Sequence, residues 1–287
     1  MPTKTDLASV SQPHRDTHVQ QQDAPSRLVV EQVTLGYQSH AICEQLSLAI
    51  PDQRFTVILG PNGCGKSTLL RGLCHLLNPD AGQLLLDGQS LGRYSRRELA
   101  KVLGLLPQSA SAPAGILVHD LVRRGRFPHQ SFLRRWSQED EQAVDEAIAV
   151  TQIGDLLEQT VDSLSGGQRQ RVWVAMVLAQ QTPYLLLDEP TTYLDIAHQI
   201  EMLDLFRKLN RSAGRTVICV LHDLNQACRY ADHLIVMKQG QVIAEGAPKE
   251  IITEALIETV YDMKSLIIDD PLSHTPLVLP LWNKDKA

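Results

Sequence analysis

An α/β fold with a buried parallel sheet is the fold class that this 287-residue sequence predicts. Two apolar runs, "YLLLDEP" at residues 184–190 and "TVICVLHD" at 216–223, are continuous, as is typical of strands buried on both faces. A glycine-rich loop beginning at Gly60 stands between a strand-like segment and a helix-like one. Residues 109–180 carry helical patterns and few strand signals, which predicts a helical insertion within the α/β domain.

The predicted elements divide the chain into three parts. Residues 1–27 are polar and lack the apolar segment of a signal peptide, so we expect a disordered tail. Residues 28–246 are predicted to form the α/β domain, with the insertion at about 109–180. Residues 247–287 are predicted to be an extension packed on the core, although the segment "LIIDDPLSHTPLVLP" also suits a dimer or regulatory contact.

Local signals predict the ends of several elements. The segment from Leu28 to Leu86 is rich in β-forming residues apart from the helix-like run after the glycine-rich loop. Ser137 and Asp140 have the spacing of a capping box, which predicts a helix start inside the insertion. The stretch "HLIVMKQGQVIAEG" is predicted to be a hairpin that turns at Gln239-Gly240.

Composition argues against several functional classes. The chain is 43% hydrophobic, which suffices for a core, and its formal net charge of −6 argues against general binding to nucleic acid. No apolar run approaches the roughly 18 residues of a membrane span. The five cysteines show no C-x-x-C spacing, which predicts reduced thiols in the cytosol.

The glycine-rich loop has the pattern of a phosphate-binding loop. Its sequence "GPNGCGKST" matches G-x-x-x-x-G-K-[ST] between a predicted strand and a predicted helix. The glycines let backbone N–H groups face a phosphate, and the helix start adds partial positive charge. Lys66 can contact the β- and γ-phosphates, Ser67 can bind Mg²⁺, and Cys64 needs only to be small. The predicted nucleotide-binding residues here are Gly60, Pro61, Asn62, Gly63, Cys64, Gly65, Lys66, Ser67 and Thr68.

Polar side chains follow two of the buried strands. Asp188 and Glu189 end the first apolar run, and His222 follows the second. Because the carboxyl ends of parallel strands share one edge, we expect these groups to lie beside the phosphate loop. Asp188 suits Mg²⁺ through water, Glu189 suits the positioning or deprotonation of an attacking water, and His222 can orient that water.

A second loop, "LSGGQRQR" at residues 164–171, also precedes a predicted helix. Ser165, Gly166 and Gly167 would make another helix start that is suited to an anion. One chain has little use for two such starts far apart in sequence. Two chains arranged head to tail would use both.

Together these motifs resemble those of the ATP-binding-cassette (ABC) ATPases, where the signature loop of one subunit closes on the nucleotide held by the other. The resemblance implies a P-loop NTPase fold with a RecA-like core, an antiparallel β subdomain, a helical insertion, and a homodimer that binds ATP and Mg²⁺. It also implies further roles: adenine stacking by Tyr37, metal contact by Gln108 beside Ser67 and Asp188, catalysis by Glu189 and His222, and contacts to the other subunit's nucleotide from Ser165, Gly166, Gly167, Gln168 and Asp195.

A single cassette without a fused membrane domain resembles the ATPase of a bacterial importer. That implies a peripheral position on the cytoplasmic face of the inner membrane, beneath two permease subunits. "RRGRFPHQSF" and "LHDLNQACRYADHLIVMKQGQVIAEGAPKEI" further resemble ATPases of ferric-siderophore importers, most of all the catecholate (enterobactin-like) type. A periplasmic siderophore-binding protein would then be an indirect partner. A haem or cobalamin importer, a soluble nucleic-acid ATPase and a non-catalytic binding module are the alternatives.

One stretch, "RRGRFPHQSFLRRW" at residues 123–136, holds five arginines and three aromatic residues. Such interleaving fits a nucleic-acid surface, a protein-docking surface or a solvated turn. It lies in the insertion, not far from Gln108, where the resembling family receives a permease helix. We therefore expect Arg126 and Phe127 to contact the permease, and we expect no nucleic-acid partner.

Overall fold

The computed structural model describes residues 26–38, 40–130, 136–192 and 194–281. The predicted tail lies outside the described residues except for its last two positions, and so do residues 131–135 of the arginine-rich stretch. The strands, in chain order, are β1 (Leu28–Tyr37), β2 (His40–Ile50), β3 (Phe55–Leu59), β4 (Ala81–Leu86), β5 (Gln89–Ser90), β6 (Leu103–Leu106), β7 (Tyr184–Asp188), β8 (Thr216–Val220), β9 (His233–Lys238), β10 (Gln241–Gly246), β11 (Ser265–Asp269) and β12 (Pro276–Pro280). The α-helices are α1 (Lys66–Leu73), α2 (Arg96–Leu99), α3 (Val118–Arg123), α4 (Gln138–Thr151), α5 (Gly166–Ala179), α6 (Ile196–Ala213), α7 (Leu224–Tyr230), α8 (Pro248–Ile251) and α9 (Glu254–Tyr261).

A mixed sheet with the strand order β10-β9-β3-β8-β7-β6 forms the centre of the fold. Neighbouring strands run parallel from β9 to β6, and β10 pairs antiparallel with β9 at the edge. Every residue of β3, β7 and β8 is buried, which explains why these segments read as continuous apolar runs. The predicted α/β fold class is confirmed.

A second sheet, with the order β2-β1-β4-β5, is antiparallel and packs beside the phosphate-loop helix. Leu69 and Leu70 of α1 share a buried cluster with residues of β1 and with Ile58 and Leu186 of the central sheet. The contact is close, because a Cβ added to Gly72 of α1 would lie 2.7 Å from a Leu35 methyl carbon. Helix α1 is therefore held between the two sheets.

Helices dominate the described part of residues 109–180, namely α3, α4 and α5 with short 3₁₀ turns between them. The capping box predicted at Ser137 is confirmed: Asp140 N donates to Ser137 Oγ at 3.2 Å, and Ser137 N donates to Asp140 Oδ2 at 3.1 Å. The predicted hairpin is confirmed as β9–β10. Gln239 and Gly240 have φ of +49° and +77°, as a tight two-residue turn requires.

A C-terminal hairpin, β11–β12, packs against α7. Asn225 accepts from Val278 N at 2.7 Å and donates to Val278 O at 3.2 Å, so its side chain continues the edge of β12. Arg229 binds Asp270 at 2.9 Å. Val278 is buried in the larger of the two core clusters, whereas Leu266 and Leu279 on the opposite face are exposed.

The five cysteines are free thiols, four of them buried and Cys74 partly so. Burial raises the pKa of each thiol, to about 12 for Cys43 and Cys228. Since the thiolate is the reactive form, these side chains behave as small apolar residues.

Candidate nucleotide-binding site

The phosphate loop joins β3 to α1 in a shape that requires glycine. Gly60 has φ of +151°, and a Cβ there would lie 2.2 Å from Met237 O. Gly65 has φ of +105°, and a Cβ there would lie 2.8 Å from Cys43 Sγ. The Lys66 ammonium is buried and donates to Gly60 O at 2.9 Å and to Pro61 O at 3.0 Å, which closes the loop around the cation.

Asp188 and Ser67 meet beside this loop. Ser67 Oγ donates to Asp188 Oδ1 at 2.8 Å, and the Asp188 side chain is only 2% exposed. Burial raises the pKa of Asp188, the hydrogen bond from Ser67 opposes that shift, and the charge of Glu189 adds to it. A buried carboxylate in this position favours a cation nearby.

Glu189 and His222 form a second pair at the same edge of the sheet, just after β7 and β8. His222 Nε2 lies 2.6 Å from Glu189 Oε1, while Gln108 Nε2 donates to Glu189 Oε2 at 2.7 Å. Glu189 has φ of +52°, a left-handed conformation that non-glycine residues seldom adopt. The chain thus turns sharply at Glu189, directly after β7, and its carboxylate is held from two sides.

An open cavity of about 370 Å³ lies at this edge, and Asp188, Gly60, Pro61 and Cys64 are not among its lining residues. Its lining combines the phosphate loop with the ends of β7 and β8: Asn62, Gly63, Gly65, Lys66, Ser67, Thr68, Gln108, Glu189 and His222, together with Ile42. Ile42 was not predicted, because it belongs to no motif; in the fold its Cγ2 would lie 3.4 Å from a Cβ on Gly65. Tyr37 is not among the lining residues. It is 40% exposed at the end of β1, and its hydroxyl accepts from Arg71 at 3.2 Å.

The signature loop lies at a different cavity, of about 650 Å³, which shares no lining residue with the first. Gln168 N donates to Ser165 Oγ at 3.3 Å, and Ser165 N donates to Gln168 Oε1 at 3.0 Å, so this pair caps α5. Asp195 caps α6, and hydrogen bonds from the His198 backbone and ring lower the pKa of Asp195. His198, also on this cavity, was missed because a lone histidine carries no pattern.

The expectation that Arg126 contacts a permease is wrong. Arg126 is 3% exposed, and its guanidinium donates to Asp140 Oδ1, Ala179 O and Gln181 Oε1 at 2.9, 2.9 and 3.0 Å. A buried charge needs partners, and Asp140 provides the opposite charge. Phe127, the next residue, is 61% exposed, and Arg124 is exposed near it. Arg126 therefore secures the segment that presents Phe127.

A phosphate loop at the carboxyl edge of parallel strands, with acidic groups at the same edge after β7, defines a phosphate-loop nucleotide-binding protein. The sequence profile of ABC transporters matches residues 43–192. The ferric enterobactin transport ATP-binding protein FepC of Escherichia coli (strain K12) is 55% identical over 259 residues, which cover 90% of this chain and 96% of FepC.

Solved structures give the same result. A metal-chelate type ABC transporter in an inward-facing conformation matches with a TM-score of 0.77 and 28% identity, covering 90% of this chain and 98% of that one. The ATP-binding cassette MJ0796, in a dimeric post-hydrolysis state bound to ADP and Pi, matches with a TM-score of 0.68 and 28% identity, covering 77% and 98%. This chain belongs to the ABC transporter family, and it is an ATP-binding, ATP-hydrolysing member.

Two further properties of the described residues bear on the site. No helix in these ranges has both the length and the apolar character to cross a membrane. No group of three or more His, Cys, Asp or Glu side chains among them could hold a metal by itself. A cation at Ser67 and Asp188 would therefore need further ligands, which a nucleotide's phosphates can supply.

Proposed function

We propose that this chain hydrolyses ATP within a head-to-tail pair of copies and thereby drives import of an iron(III)-siderophore. The observation that carries the catalytic part is the convergence of Glu189 and His222, 2.6 Å apart, on the cavity lined by Lys66 and Ser67. Both are polar side chains at the carboxyl ends of adjacent parallel strands, the edge at which ligands bind in such sheets.

In the proposed reaction Glu189 is the group that orients or deprotonates the attacking water. His222 Nε2 and Gln108 Nε2 hold its two oxygens, so the carboxylate keeps one orientation. Lys66 and the N–H groups at the start of α1 bind the phosphates. Most of the rate gain then comes from positioning and charge, as in other phosphoryl transfers.

The residues fit Mg²⁺. Ser67 and Asp188 provide a hydroxyl and a buried carboxylate 2.8 Å apart, and oxygen donors are what this ion prefers. Ser67 and Asp188, the latter through water, would hold the ion beside Gln108. When bound, Mg²⁺ neutralises part of the phosphate charge. It would also offset the unfavourable burial of the Asp188 charge.

The signature residues are proposed to act on the nucleotide of a second copy. Ser165, Gly166, Gly167 and Gln168 line a cavity away from the phosphate loop of their own chain. A head-to-tail arrangement brings this helix start to the other copy's phosphates, as part of the same site. The dimeric state of MJ0796 supports two copies as the working unit.

The proposed cargo is a ferric catecholate, supported by the 55% identity to FepC along nearly the whole of both chains. The test is uptake in bacteria that keep a ferric-enterobactin permease and binding protein but lack the ATPase gene. Expression of this chain should restore uptake of radioactive iron as its enterobactin complex, and Lys66→Ala should not. Absence of iron-enterobactin uptake, although the chain is expressed and co-purifies with that permease, would overturn the cargo assignment.

Two permease subunits are proposed to dock on the pair of copies, one at Phe127 and its neighbours in each copy. This docking would keep the chain peripheral on the cytoplasmic face of the inner membrane. Phe127 is a large apolar side chain that is 61% exposed, and aromatic side chains are frequent anchors of interfaces. Phe127→Ala should lower co-purification with the permease and leave ATP binding intact. Full recovery of the complex would refute docking at Phe127. Leu76→Ala is the matched control, because Leu76 is an apolar residue of similar exposure, 67% against 61% for Phe127.

A further inference from the structure

The loop after β7 and the helix after β8 are joined by two glutamine side chains. The loop begins at Glu189 and ends at Asp195, and helix α7 follows His222. We propose that Gln199 and Gln226 are positioning residues that fix the loop after β7 relative to helix α7. The proposal rests on the proposed function, because it concerns how the catalytic pair and Asp195 act together.

Gln199 lies in the first turns of α6 and uses both ends of its amide. Its Nε2 donates to Leu194 O at 3.0 Å and to Thr191 O at 3.4 Å. Its Oε1 accepts from Gln226 Nε2 at 3.0 Å. One side chain therefore fixes two carbonyls of the loop and connects them to α7.

Gln226 is tied in turn to the residue beside His222. Its backbone N donates to Asp223 Oδ1 at 2.8 Å, the bond that caps α7. If Asp223 moves, Gln226 is expected to move with it. The hydrogen bond from the Gln226 side chain would then shift Gln199 as well. The connection from His222 to the loop passes through Asp223, Gln226 and Gln199.

Packing alone does not hold the loop here. A cavity of about 240 Å³ opens behind the catalytic pair, between Thr191, Thr192, Gln199, His222 and Gln226. Directional hydrogen bonds across such a gap restrain the loop without filling it. Helix α5 adds a further restraint, since Gln170 Nε2 donates to Pro190 O at 2.9 Å.

The arrangement predicts a specific effect on the reaction. Asp195 is proposed to reach the nucleotide of the second copy, and Glu189 to act on the nucleotide of its own copy. When the glutamine link is lost, ATP can bind as before. The loop then spends less time in the position where Glu189 and Asp195 both reach their nucleotides. Turnover should fall, while the affinity for ATP, which depends on the phosphate loop, should not change.

The test compares Gln199→Leu, Gln226→Leu and the double variant in the purified full-length chain. Each single change should lower kcat about tenfold and leave the dissociation constant of ATP within about twofold. Because both changes break one connection, the double variant should lose about as much as the more affected single variant. Ser212→Ala, which removes one side-chain bond at the far end of α6, is the matched control and should retain wild-type turnover.

Two outcomes would overturn the proposal. Wild-type kcat in both glutamine variants would do so, and so would losses that multiply in the double variant, because the residues would then act independently. Gln226→Leu leaves the Gln199 bonds to the loop intact, so it remains informative if Gln199→Leu does not fold. Absence of turnover in the wild type would instead count against the proposed function.

Discussion

Two glycine-bearing loops, each directly before a helix, differ in what surrounds them. The phosphate loop is enclosed by its own chain: a Cβ on Gly60 or on Gly65 would lie within 3 Å of a neighbouring atom. The signature loop is open. No described atom lies within 4 Å of a Cβ built on Gly166, and the nearest to one on Gly167 is 3.7 Å away.

The two loops contain glycine for different reasons. Packing and positive φ within one chain account for Gly60 and Gly65. Neither accounts for Gly166, which begins α5 at an exposed position where alanine has the higher helix propensity. A glycine there allows close approach by something outside the chain, and a helix start attracts an anion. The enclosed loop is complete within one copy, whereas the open space at the other loop supports the proposal that a second copy completes its site.

The largest expected effect tests whether the two halves come together around ATP. Glu189→Gln should lower kcat about a thousandfold, the scale of losing a general base, and leave ATP binding unchanged. Unhydrolysed ATP should then hold two copies together. Phosphate release and size-exclusion chromatography with ATP measure both effects. Undiminished turnover would remove Glu189 from its proposed role, and a monomer with bound ATP would show that no second copy completes the site at the signature loop.

Gly60→Ala tests the enclosed loop. The new methyl would lie 2.2 Å from Met237 O and 2.6 Å from Cys64 Sγ, so the backbone must shift. We expect the free energy of unfolding to fall by about 3 kcal/mol, at the upper end for overpacking. Urea unfolding measures this. Gly63→Ala, where only the positive φ is strained, is the control and should lose about 1–2 kcal/mol.

Gly166→Asp tests the open loop and should separate stability from activity. Aspartate fits the free space, and a negative charge in the first turn stabilises a helix by about 0.3–1 kcal/mol. The same charge would repel a phosphate brought by the second copy. We expect an unchanged or slightly higher melting temperature together with a turnover reduced by about tenfold or more. A large loss of stability would show that Gly166 serves its own chain.

Asp188→Asn should have the smallest effect, a change in the stability of the nucleotide-free chain. Burial raises the pKa of Asp188 in the folded chain, so its carboxyl group contributes stability at low pH that is lost as pH rises. The variant should therefore be more stable than the wild type near neutral pH, with the difference shrinking toward about pH 4, the ordinary Asp pKa. Thermal unfolding at several pH values measures it. A destabilised variant at neutral pH would contradict this account.

The sequence predicted what depends on short-range pattern. Buried strands, the β9–β10 turn and the Ser137 cap follow from local residue order and were correct. The approach of Glu189 to His222 was also predictable, because the carboxyl ends of adjacent parallel strands share an edge. Burial of Arg126 was not predictable. Charge and neighbours suggested a surface, and only the fold shows that Asp140 and the end of α5 enclose it.

Other contacts were missed for the same reason. Gln199 and Gln226 are 27 positions apart and belong to no motif, so nothing in either segment indicates that their amides meet. His198 and Ile42 are likewise common residues made relevant by their neighbours. Sequence motifs therefore reveal the residues that contact substrate. They do not reveal the residues that hold those substrate-contacting residues in place.

The chemistry of the five thiols has a practical consequence for watching this protein at work. Burial raises the pKa of all five native thiols, so a maleimide dye should react with them slowly at neutral pH. A single cysteine introduced on an exposed helix surface would be the preferred target. Fluorescence energy transfer could then follow the approach and separation of two otherwise native copies during each cycle, without first replacing Cys64 inside the phosphate loop.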